Sequence, residues 1–169
     1  PDETLTKFTD ESLCTRLFEQ RKGRTNSLLN DASLLSLAYS FNVSRSDFND
    51  EIEVLSKIGK SSRAKLHESH AELIRRQLCQ KRGDWRAILP HALANRLAKR
   101  ALENITLADI NMELFKPENS RLFKSCAHRI GYLHDLDIAQ ELAHTWIQPG
   151  APLHELLECN DEQIQIIEY

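Results

Sequence analysis

The stretch from Leu73 to Ala101, LIRRQLCQKRGDWRAILPHALANRLAKRA, constrains the fold more than any other part of the chain. A helix runs out through Arg75 and Arg76. Two short extended runs follow, Leu78–Lys81 and Trp85–Leu89, separated by the tight turn Arg82-Gly83-Asp84. Two strands joined by a glycine-containing turn predict a β-hairpin. A new helix opens at Pro90-His91, where proline fits the first turn. A hairpin placed directly after a helix and directly before another is a "wing".

What precedes the hairpin supplies the helices it needs. Thr9-Asp10-Glu11 opens a helix with Leu13, Leu17 and Phe18 on its apolar face, and Arg21-Lys22-Gly23 ends it. Asn26 caps NSLLNDASLLSLAYSF, whose Leu28, Leu29, Ala32, Leu35, Ala38 and Phe41 form a wide apolar stripe. The segment 42–46 reads as a loop standing where a winged helix has its first strand. Asp47 or Asn49 caps a short helix with Ile52, Leu55 and Ile58 inward, stopped by Gly59. Ser61 or Ser62 caps a third helix with Leu66, Ala71 or His70, Leu73 and Ile74 inward. Beyond His91 the pattern is helical throughout: caps at Thr106, Asn119 or Ser120, and Asp135 or Asp137 divide it into helices of 10–15 residues, and Pro149-Gly150 breaks the last before a final short pair. The expected architecture is mainly α: a linker helix over 1–25, a winged-helix domain of three helices plus a β-hairpin over 26–90, and an α-helical array over 91–169.

Composition limits the function classes. The 169 residues, 41% hydrophobic and 28% charged, suffice for a real core. No apolar run reaches the ~20 residues of a membrane span, and no charged-then-apolar pattern leads one to expect a secretory leader. The only methionine is Met112, and the chain stops at Ile164-Gln165-Ile166-Ile167-Glu168-Tyr169 within an apolar pattern, so it reads as a piece of a longer protein. Cys14, Cys79, Cys126 and Cys159 form no C-x-x-C pair and sit among apolar neighbours, which suggests reduced thiols in a cytoplasmic protein. The window Lys60–Arg100 holds eleven Lys/Arg against three acids, a charge of +8, while the net charge is −3 and the remainder therefore −11. Such a split suits a polyanion-binding face or two mutually attracting surfaces.

Motifs for chemistry are absent. There is no phosphate-binding P-loop, no G-x-G-x-x-G and no G-x-S-x-G, so this chain is not expected to be an enzyme. His67 and His70, and His128 and His134 beside Asp135, lack a third ligand at metal-site spacing and are read as packing or surface histidines, with no metal. The basic residues Arg63, Lys65, Arg75, Arg76, Lys81, Arg82 and Arg86 could meet DNA phosphate through the third helix and wing, or dock an acidic neighbouring domain. Glu68 and Glu72 on that helix weigh against DNA. Trp85 is expected to be an apolar plug under the hairpin rather than a base-stacking platform.

His91 follows a strand and opens a helix, so its ring and the free amides after it lie at a positive helix end, a ready anion site. With a winged helix before it, Pro90-His91-Ala92 resembles the Met-His-Asp motif of the STAND class of signalling ATPases, the AP-ATPase/NB-ARC relatives, with Ala92 where that motif has Asp. The run Arg82 to His91 resembles large bacterial NTPases of this kind, as do Leu35–Phe41 and His128–His134. The resemblance implies a regulatory fragment of a multidomain signal-transduction NTPase, acting as a nucleotide-state switch and interaction module. His91 would contact the β-phosphate of ADP held by an adjoining nucleotide-binding domain, with homo-oligomerisation on activation. ATP or ADP is thus implied for the parent protein, and no cofactor for this chain. The alternatives are a DNA-binding winged-helix regulator and a helical protein-interaction scaffold.

Overall fold

The computed structural model describes residues 25–44 and 50–152 together with Phe18 and His154. It is mainly helical, with one three-stranded antiparallel sheet. In chain order the elements are α1 (Thr25–Leu35), β1 (Phe41–Asn42), α2 (Glu51–Ile58), α3 (Arg63–Arg75), β2 (Cys79–Arg82), β3 (Trp85–Ile88), α4 (His91–Leu102), α5 (Leu107–Leu114), a 3₁₀ turn (Pro117–Asn119), α6 (Ser120–Gly131) and α7 (Asp137–Trp146). The expected helix over 9–23 and the final short pair fall outside the described residues, apart from Phe18, which is helical and buried.

The apolar helix α1 is shorter than its stripe. Two serines turn back on it: Ser33 Oγ donates to Leu29 O at 2.8 Å and Ser36 Oγ to Ala32 O at 2.7 Å. Ser36 N is shared between Ala32 O and Ser33 O, tightening the last turn. The chain then leaves the helix axis, and Phe41 becomes a fully buried strand residue. Phe41–Asn42 pairs antiparallel with β3, Phe41 opposite Arg86 and Asn42 opposite Trp85. A strand therefore starts where the sequence reading had the end of a helix and a loop.

The hairpin is as expected. Cys79 pairs with Ile88 and Arg82 with Trp85, leaving Gly83-Asp84 as a two-residue connection with Gly83 at φ +59°. Glycine reaches that backbone region without Cβ strain. The sheet order is β1-β3-β2, so β3 is central.

Caps place the remaining boundaries. Asp50, rather than a residue further upstream, caps α2 through Glu53 N. Ser62 caps α3 and Thr106 caps α5. The start of α7 has Leu136 at the cap position with no side-chain bond, so neither Asp135 nor Asp137 caps it; Asp137 lies instead in the first turn, where it favours the helix dipole. The core is continuous across residue 90: Leu35, Phe41, Leu66 and Leu73 belong to the same cluster as Leu93, Leu97, Leu122 and Leu142. α4 packs along α1, so the first helix after the hairpin completes the core of the helices before it.

Gly59 ends α2 in a tight place. A Cβ there would lie 2.3 Å from Leu34 Cδ2 and 3.1 Å from its Cγ. Leu34 is buried, and its branched end must shift to admit a methyl group. Gly59→Ala should destabilise the fold by about 1–3 kcal/mol, read as a shifted urea midpoint with unchanged slope; a neutral result would mean that Leu34 repacks freely.

Candidate functional site

The mouth of α4 brings together residues far apart in sequence. Leu89 N donates to Leu78 O at 2.9 Å and closes the base of the hairpin. Pro90 stands at the cap position of α4 and offers no side-chain cap. The N–H groups of His91, Ala92 and Leu93 thus precede the first intrahelical bond, Ala94 N to Pro90 O at 3.0 Å. The His91 side chain is exposed.

Tyr39 reaches this mouth from the bend between α1 and β1. That bend is fastened to α6: Tyr39 N donates to Ser125 O at 3.0 Å, Ser40 N to Ser125 Oγ at 2.9 Å, and Ser125 Oγ to Ser40 O at 2.6 Å. Tyr39 Oη and His91 Nε2 share a 3.3 Å hydrogen bond. The Tyr39 ring stacks on His91 at 4.9 Å between centroids and on His128 at 4.0 Å, with interplanar angles of 10° and 6°. Tyr132 stacks on His128 at 5.4 Å.

Arg129 lies beneath this group of rings. Its side chain is fully buried. The guanidinium carbon sits 5.2 Å from the Tyr39 ring centroid, a cation–π contact, and Nη1 donates to Asn95 Oδ1 on α4. Nε and Nη2 are buried without a hydrogen-bond partner among the described residues. Burial pulls the guanidinium below its ordinary pKa; the Tyr39 and Tyr132 phenols and the Cys126 thiol oppose this, and no carboxylate among the described residues does. Burial, then the charges of Arg129 and His91, also hold the His128 ring below its ordinary value. The site is electropositive and lined by donors.

Four of the basic residues of the expected face, Arg63, Lys65, Arg75 and Arg76, are engaged by acids of the chain itself. Arg63 is bound to Asp50, Lys65 pairs with Asp31 at 3.2 Å, and Arg75 and Arg76 both hold Glu72 at 2.8 Å. Arg86 is buried, with Nη1 donating to Gly83 O at 2.7 Å and Trp85 O at 2.8 Å. Lys81 and Arg82 are exposed on the wing and have no ion-pair partner among the described residues. Asp31, which also accepts from Ser69 Oγ at 2.7 Å, borders a polar groove of about 680 Å³ that includes Lys60, Lys65 and Arg100. His91 is not part of that groove.

Trp85 is not a plug. It is 41% exposed, and the Arg121 guanidinium lies 4.7 Å from its ring centroid. Arg121 also donates to Ser40 O at 3.0 Å and is bound twice by the buried Glu51 carboxylate. Glu51 in turn accepts from Asn42 N at 2.6 Å, tying α2, β1 and α6 together. Burial pushes the Glu51 carboxyl above its ordinary range, and Arg121 and the Asn42 amide pull against that.

Among the described residues no group of histidine, cysteine and acidic side chains could hold a metal. His67 and His70 meet edge-on, at 4.6 Å. Cys79 and Cys126 are free and buried, and burial pushes their thiols up to about 11 and about 12, so both stay protonated at neutral pH. Cys14 and Cys159 lie outside the described residues. No helix among the described residues is long and apolar enough to cross a membrane.

Sequence reasoning singled out His91 but not Tyr39, Asn95, Arg129 or Tyr132. One signal was available for Arg129: it lies seven residues after Leu122 and three after Cys126, on the apolar stripe of α6, where a charged residue has a reason to be. Comparison with protein-family models, with curated proteins and with solved structures finds no match to this chain.

Proposed function

We propose that this chain is a winged-helix module with its following helices, working as the nucleotide-state switch of a larger STAND-class NTPase. The order α1-β1-α2-α3-β2-β3 with β3 between β1 and β2 supports the winged-helix reading. The observation that carries the functional part is His91: an exposed imidazole at the uncapped start of a twelve-residue helix, in surroundings whose charge is positive. A terminal phosphate presented there meets free amides, the helix dipole and a ring donor together.

In this reading an adjoining domain holds ADP or ATP, and this chain supplies no hydrolytic group. Phosphate contact at His91 favours the closed arrangement; loss of that contact shifts the population toward an open form that self-assembles in the cytoplasm. The DNA-binding alternative draws less support, because Arg63, Lys65, Arg75 and Arg76 are engaged by Asp50, Asp31 and Glu72.

His91→Ala in the intact protein should weaken ADP retention about ten-fold, the scale of one charge-assisted hydrogen bond. The measurement is the nucleotide content of the purified protein and its ADP dissociation rate. Equal retention in the variant overturns the role of His91.

A further inference from the structure

We propose that Arg129 is a second arm of the anion site at the mouth of α4, so that one phosphoryl group is held jointly by His91, the first amides of α4 and the Arg129 guanidinium from α6. The inference rests on the reading of His91 given above and extends it to the helices that follow the hairpin.

Four observations lead there. Arg129 is fully buried, yet two of its nitrogens have no hydrogen-bond partner among the described residues. A buried guanidinium without a counter-charge is costly, and structures retain such a group where a ligand or partner completes it. The guanidinium is already tied to α4 through Asn95, which lies one helical turn beyond His91 on the same face of that helix. Finally, the Tyr39 ring lies against it, and that ring also touches His91 and belongs to a bend rather than to a helix or strand.

Tyr39 thus occupies the place of the anion. Its π face meets the guanidinium and its hydroxyl meets His91 Nε2, the same two groups a phosphoryl oxygen pair would engage. Rotation of Tyr39 outward opens a path to Nε and Nη2, the two adjacent donors of a guanidinium fork that match two phosphate oxygens. Because α6 carries Arg129 and α4 carries His91, occupancy draws the two helices to one ligand. The ligand class is a phosphate monoester or diphosphate dianion, which a free diphosphate or a nucleotide could supply.

The test is calorimetric titration of this 169-residue chain with pyrophosphate, ADP and adenosine. Pyrophosphate and ADP should bind and adenosine should not; tighter ADP marks a nucleotide source, and equal affinities a free diphosphate. Arg129→Lys keeps the charge but loses the fork, and should weaken pyrophosphate binding roughly ten-fold, with Arg129→Met weaker still. If Arg129→Met does not fold, the lysine variant carries the test. Tyr39→Ala should strengthen binding, an effect that a purely structural Arg129 would not produce. Arg129→Lys binding as well as the parent chain, Tyr39→Ala binding no better, or pyrophosphate failing to bind would each overturn the proposal. The two readings separate cleanly: binding lost with His91→Ala but kept with Arg129→Lys removes Arg129 and leaves His91, and the reverse pattern overturns the sensing role of His91 and the joint site with it.

Discussion

Arg121→Leu should cost the fold about 3 kcal/mol at neutral pH, more than removal of its partner, because the two charges are unequally buried. The Glu51 side chain is 8% exposed and that of Arg121 38%. Without Arg121 the Glu51 carboxylate keeps the Asn42 amide as a donor, in a place where burial already raises its pKa. Glu51→Gln leaves Arg121 able to reach water and Ser40 O, and keeps an acceptor for Asn42 N, so its cost should be about 1–2 kcal/mol. The Arg121→Leu defect should also depend on pH. The stranded carboxyl has a folded pKa above its unfolded value, so the folded state binds more protons between the two, and stability falls as pH rises through that interval. Acidification toward the ordinary carboxylate range should therefore recover part of the loss. Urea unfolding of both single variants and the double variant at neutral and acidic pH reads this directly. A larger cost for Glu51→Gln than for Arg121→Leu would show that the buried charge is not what the pair neutralises.

That pair also shows where sequence patterning stops being informative. The hairpin was legible because its signals are local: a glycine at the turn and a short extended run on either side of it. The facing of β3 was legible in principle and was misassigned. Trp85 and Ile88 are three residues apart, so one strand cannot bury both on the same face. Ile88 is the buried one, which sends Trp85 outward and turns Arg86 in under the sheet, where backbone carbonyls of Gly83 and Trp85 receive its guanidinium. The end of α1 was less legible. Its apolar stripe continues through Ala38 to Phe41, and only the serine bonds back to Leu29 and Ala32, with Ser125 waiting 85 residues away at Ser40, turn the chain out of the helix. The site behaved the same way. His91 was visible because a histidine after a proline at a helix start is a local pattern. Tyr39, Asn95, Arg129 and Tyr132 reach it from α6, from the second turn of α4 and from the bend after α1, and nothing in their immediate neighbourhoods names His91 as the meeting place. The basic window is a related case: net charge over a stretch of chain ignores acids such as Asp31 and Asp50 that the fold brings in from outside it.

Lowering the pH from 7 to 5 should remove about 2 kcal/mol of stability through His70 alone. The sequence left Ala71 or His70 as the inward residue of α3, and the fold buries His70. Its ring stands edge-on to His67, its Nδ1 makes no hydrogen bond of good geometry among the described residues, and the Arg86 guanidinium lies close enough to oppose a second positive charge. Burial, then His67 and Arg86, lowers its pKa from 6.5 to about 4. A histidine whose folded pKa is below its unfolded value is protonated first in the unfolded chain, so the unfolded state binds more protons throughout that window. The stabilisation is fully present above pH 6.5 and is lost as pH falls toward 4, to a total of about 3 kcal/mol. His70→Gln removes the titration while keeping a polar side chain, so its stability should change less between pH 7 and pH 5, by that same 2 kcal/mol. Matched urea titrations at the two pH values isolate the term, since every other group is common to both chains. Parallel pH dependences would mean that His70 accepts its proton in the folded state, either by turning out to solvent or by taking the place of a donor that Nδ1 lacks. The position makes the result matter for the wing: α3 packs on β2, and Arg86 of β3 is one of the charges that His70 faces, so protonation would load the contact that holds the hairpin against α3.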